Sequence, residues 1–129
     1  MTNGSQTVTL QGRTYKIALP GYAEREDIAV GFTAEENRPR RRQRALLGAL
    51  GLCIPELGGG LAAYEAADLD LVKFGGRVYS ALMATGHDRD ELATAAVECF
   101  QVACQSLFPR EKEVGTVEDF IDPAAVVAT

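Results

Sequence analysis

The strongest constraint on this chain lies between Asp88 and Phe108. Asp88 is placed to accept from the backbone at the third helical position while Glu91, three residues on, reaches back, a capping box with Asp in place of Ser or Thr. Behind this start, Leu92, Ala96, Cys99 and Ala103 form one stripe at helical spacing and Val97, Phe100 and Cys104 an adjoining one. Pro109 then follows the predicted end at Phe108. An apolar face this wide and this rich in small residues requires contacts with more than one neighbour.

The rest of the chain supplies candidates. Residues 7–19, TVTLQGRTYKIAL, alternate, with Val8 and Leu10 on one face of a first strand and Tyr15, Ile17 and Leu19 on one face of a second. Gln11-Gly12 reads as a two-residue turn between them and Pro20-Gly21 as the end of the hairpin. An isolated hairpin is marginal in water, so its apolar face must cover helices or extend a neighbour's sheet. Ala23 to Val30 predicts a short helix anchored by Ile28. A better one starts near Asn37 as N-cap, tolerates Pro39 in its first turn and runs to about Cys53, with Leu46, Ala49, Leu50 and Cys53 as its buried stripe. Residues 55–63, PELGGGLAA, read as a flexible joint, because consecutive glycines lose much conformational entropy when ordered. From Asp68 or Asp70 to Ala84, Leu71, Phe74, Val78 and Leu82 mark a further helix with Gly86 as its C-terminal stop. Gly75-Gly76 inside it costs about 1 kcal/mol each unless another backbone packs closely there. The expected fold is mainly α, an N-terminal β-hairpin followed by a bundle of about four helices.

At 129 residues the chain suits one domain, expected over 1–108, with an acidic, partly mobile extension over 109–129. Its net charge of −5 argues against general attraction to nucleic acid or anionic lipid. Met1 to Gln11 is too polar for a secretory signal and no apolar run reaches the roughly 20 residues of a membrane span, so a cytoplasmic protein without membrane association is expected. Cys53, Cys99 and Cys104 read as buried reduced thiols.

Catalytic constellations are weak. The sole histidine, His87, reads as a solvated turn residue in preference to a proton shuttle or metal ligand. The spacing of Cys99 and Cys104 turns the thiols to different sides of a helix, which speaks against zinc. The carboxylate pairs Asp68/Asp70 and Asp88/Asp90/Glu91 are accounted for by helix starts. Gly58-Gly59-Gly60 lacks the lysine of a phosphate loop, and no cofactor motif is found. No enzymatic activity is expected.

One sharp local feature remains: Arg38, Arg40, Arg41, Arg42 and Arg44 fall within seven positions. Either they form a solvated face balancing Glu24, Glu26, Asp27, Glu35 and Glu36, or they meet a partner, since cations near a helix N-terminus oppose its dipole. Nucleic acid is one candidate, disfavoured by the absence of interleaved aromatics. An acidic protein surface is the other, including the Glu-rich C-terminal segment of a second copy in a head-to-tail assembly. Phe120 and Ile121, flanked by Glu118, Asp119 and Asp122, are the apolar contact candidates of that segment.

The layout of VTLQGRTYKIALP, then RALLGALGLCIPEL, then DLDLVKFGGRVYSALMATGHDRDELATAA, resembles the tail assembly chaperones of long-tailed bacteriophages, over residues 7–108. That resemblance implies a non-enzymatic protein of the host cytoplasm that forms homo-oligomers and coats the tape measure protein until the tail tube protein polymerises around it. It also implies a longer frameshifted product that engages the tube subunit. Ala95, Ala96, Gly75, Gly76 and the Met83 region are the expected groove-forming positions for a helical client. The alternatives are a virion structural protein of the tail or head-tail joint, and a small nucleic-acid-binding regulator using Arg38 to Arg44.

Overall fold

The computed structural model describes residues 6–105; the acidic extension, Phe120 and Ile121 lie outside them. Two strands, β1 (Thr7–Leu10) and β2 (Arg13–Lys16), pair antiparallel with Val8 opposite Tyr15 and Leu10 opposite Arg13. Gln11 and Gly12 both take positive φ, 53° and 78°, the pattern of the tight hairpin turn that matches strand twist. Val8, Leu10, Tyr15 and Ile17 are buried against the helices. Leu19 departs from the expected face: it lies beyond β2 and is 53% exposed.

Six helical segments follow: α1 (Tyr22–Ala34), α2 (Pro39–Cys53), α3 (Pro55–Gly58), α4 (Gly60–Ala66), α5 (Leu71–Ala84) and α6 (Arg89–Gln105). The chain is therefore mainly helical behind an N-terminal hairpin, as the periodicity indicates. α1 is longer than its sequence pattern, because Phe32 extends the buried row begun by Ile28. α2 begins one residue later than expected. Arg38, not Asn37, is its N-cap, without a side-chain cap, and Pro39 supplies the preset first turn.

The centre of the molecule is the second half of α2, where every residue from Leu47 to Ile54 is buried. A helix apolar on all sides needs neighbours on all sides, and α2 touches α1, α3, α4, α5 and α6. Its contact with α5 is made backbone to backbone. A Cβ on Gly75 would collide with the Arg44 carbonyl oxygen, and one on Gly48 would come within 2.8 Å of the Leu71 carbonyl oxygen. The close approach expected at Gly75 is thus present; Gly76 points away, with only the Arg44 Cδ 3.4 Å from a hypothetical Cβ.

The glycine stretch after Pro55 is ordered, not a flexible joint. Gly59 and Gly60 take φ of 92° and 66°, which ends α3 and opens α4 without the steric penalty any other residue would meet. Gly58 packs against the Gly51 backbone. α4 then buries Tyr64 completely, its hydroxyl donating to Asp27 Oδ2 at 2.8 Å.

α5 starts where Asp70 accepts from the Lys73 amide at 3.1 Å. It stops in a paired motif: the Gly86 amide donates to the Met83 carbonyl and the His87 amide to the Leu82 carbonyl, with Gly86 at φ 87°. α6 starts as expected, the Glu91 amide donating to Asp88 Oδ2 at 2.9 Å. Glu91 does not complete the box. Its carboxylate accepts from the Gln11 amide at 3.0 Å and so ties the hairpin turn to the helix.

Candidate functional site

The arginine run lies on the first two turns of α2, and helical phase sends its members in different directions. Arg41 donates to both Glu35 oxygens, at 2.9 and 3.4 Å, and Arg38 approaches the same carboxylate at 3.8 Å. Glu35 is only 9% exposed, so this is a buried carboxylate neutralised from the surface. The hydrogen bond that Arg41 donates to Glu35 raises the Arg41 pKa above its ordinary value. Arg42 donates to the Glu36 carbonyl at 3.1 Å and lies 5.6 Å over the Phe32 ring. Arg44 lies 6.0 Å over the Tyr79 ring. Of the five acids expected to balance the run, Glu35 alone pairs with it among the described residues; Arg42 meets the Glu36 backbone carbonyl and Asp27 accepts from Tyr64. The run is not one continuous basic patch.

Arg40 points elsewhere. With Arg42 it stands at the edge of an open groove of about 480 Å³ between α2 and α6. Pro39, Gln43, Leu46 and Leu47 form one wall, at helical spacing on α2. Arg89, Leu92, Ala93, Ala96 and Val97 form the other, at i, i+3, i+4, i+7 and i+8 on α6. Phe32 and Tyr79 close the groove from α1 and α5. The Phe32 ring packs on Phe100 at 4.6 Å between centroids. The groove is therefore apolar within and carries Arg40, Arg42 and Arg89 at its margin. Among the described residues, neither Arg40 nor Arg89 has an ion-pair partner.

Of the positions expected to shape a groove, only Ala96 does so. Ala95 is buried away from it, Gly75 is sealed against α2, Gly76 borders a shallow depression with Arg44, and Met83 lies elsewhere on α5. Arg89, Tyr79 and Phe32 were not legible as groove residues from their local sequence. The half-buried state of Val97, on the second apolar stripe of α6, is the trace the pattern did carry.

The remaining reactive groups are structural. His87 is 7% exposed, contrary to the expected solvated turn, because its position after Gly86 folds it back onto the end of α5. Among the described residues its buried Nδ1 has no hydrogen-bond partner. Cys53, Cys99 and Cys104 are buried free thiols, as read from the sequence. The Cys53 Sγ donates to the Cys99 carbonyl at 3.8 Å. Contact with Cys53 and burial raise the Cys99 pKa, and burial pushes Cys104 up to about 12, so both stay protonated and poor nucleophiles at neutral pH. Among the described residues no group of His, Cys, Asp or Glu is placed to hold a metal ion, and no single helix is long and apolar enough to cross a membrane.

The groove, bounded by two helix stripes and edged with guanidinium groups, is thus the candidate binding surface. Comparison of the chain with known protein families, with curated proteins and with solved structures finds no match.

Proposed function

We propose that this chain is a non-enzymatic tail assembly chaperone of a long-tailed phage, acting in the host cytoplasm as an oligomer that holds the helical tape measure protein during tail morphogenesis. The observation that carries the reading is the α2–α6 groove. Its walls are two helix stripes, the geometry into which an amphipathic helix lays its apolar side chains. The layout of hairpin and helices, which resembles that of such chaperones, adds the client's identity.

Magnitudes explain why such a protein works in many copies. A groove of about 480 Å³ takes one or two large apolar side chains. Burying two contributes about 3–6 kcal/mol, a dissociation constant in the millimolar to tens-of-micromolar range before ordering costs. A single copy therefore holds a helix weakly and reversibly. Copies linked to one another along a long helix gain avidity without new contacts, and the weak individual contact lets tube subunits displace them.

The test is co-expression of the full chain with the tape measure protein of the same phage. The expected result is a soluble complex containing several copies per client, by light scattering after size-exclusion chromatography. The chain should be missing from purified particles by mass spectrometry. A client that stays insoluble, or a chain retained stoichiometrically in the particle, overturns the reading, the latter in favour of a virion structural protein.

A further inference from the structure

The α2–α6 groove combines an apolar interior with guanidinium groups at its margin. It therefore selects a short segment in which large apolar side chains are bracketed by carboxylates. Residues 117–122, Val-Glu-Asp-Phe-Ile-Asp, have that composition: Phe120 and Ile121 between Glu118, Asp119 and Asp122. Three carboxylates stand against three arginines, Arg40, Arg42 and Arg89. We propose that residues 117–122 occupy the groove of their own molecule. The inference rests on reading the groove as a binding surface.

The reach suffices. Ala93, midway along the groove wall, lies twelve residues before Gln105, about 18 Å along the α6 axis. Fifteen residues separate Gln105 from Phe120, a span of up to about 50 Å. Counted from Phe108, the helix end expected from the sequence, which lies outside the described residues, twelve residues still span up to about 40 Å. A linker of this length holds the segment at an effective concentration near the millimolar range. The same segment on an unassociated second copy reaches that level only at millimolar protein, so in a free molecule its own segment fills the groove first.

The test uses the full chain with Thr116→Cys carrying a nitroxide, since the three native thiols are buried. The expected result is paramagnetic broadening of the amides of residues 40–43 and 89–97, unchanged on tenfold dilution and abolished when Phe120→Asp and Ile121→Asp are added. Arg40→Glu with Arg89→Glu should weaken the broadening several-fold while leaving the tail intact. Broadening that is absent from these amides, or equal over the whole surface, overturns the proposal. Broadening found only between nitroxide-labelled and isotope-labelled molecules in a mixed sample also overturns it, because it places the segment in a neighbour's groove. None of these outcomes depends on the client, so the co-expression result stands or falls separately.

Discussion

The two sides of α2 are built on opposite rules. Toward α5, Gly48 and Gly75 let the backbones meet, and a single added methyl at Gly75 would strike the Arg44 carbonyl. Toward α6, the first turns of α2 stand off and leave a groove whose margin is charged. The difference teaches how a small chain makes one helix serve both as the axis of its core and as a wall of its exposed surface. The second half of α2 is fully surrounded, and its first half is anchored by Arg41 to the buried Glu35. That anchor fixes the helix end, so Arg40 and Arg42 are presented at a defined position.

Substitutions at matched positions can break this contrast. The largest effect is expected for Gly75→Ala, because backbone cannot move aside as a flexible side chain can. A loss of about 3 kcal/mol or more is expected in urea unfolding, and a loss below about 1 kcal/mol would mean that the two backbones are not in contact. Its neighbour provides the control. Gly76→Ala should raise stability by about 0.5–1 kcal/mol, since a methyl there meets only ordinary contact and the helix gains propensity. Adding bulk on the opposite side of α2 should be tolerated: Ala93→Trp, which fills the groove from α6, should change stability by about 0.5 kcal/mol or less. A large loss from this variant would show that the groove is closed. The smallest effect is expected for Arg40→Glu, within a few tenths of a kcal/mol, in contrast to Arg41, whose partner Glu35 is buried.

The elements with strong local signals were legible: the hairpin alternation, the Asp70 and Asp88 starts, and the Gly86 stop. What escaped was set by distant contacts. Glu91 has the spacing of a capping box, yet the Gln11 amide, 80 residues away in sequence, takes its carboxylate. Gly58-Gly59-Gly60 reads as flexible, yet close packing of Gly58 on Gly51 and the burial of Tyr64 order it. His87 sits in a polar turn by composition but is folded back by the helix-stop geometry. For the candidate site, the arginines drew notice as a charge cluster, whereas their division between Glu35, Phe32, Tyr79 and the groove follows from where α2 begins. Starting the helix at Pro39 sets that phase, and Gly48-x-x-Gly51 at i, i+3 is the signal that places α5 on the other side.

The central claim, that the groove between α2 and α6 is where a helical client binds, is tested most directly by co-purifying the tape measure protein with the full chain and with its Ala93→Trp variant. The expected result is that the variant remains folded by circular dichroism and loses at least about tenfold of the client held by the unsubstituted chain. Equal recovery of client with both chains, the variant being folded, would contradict the claim.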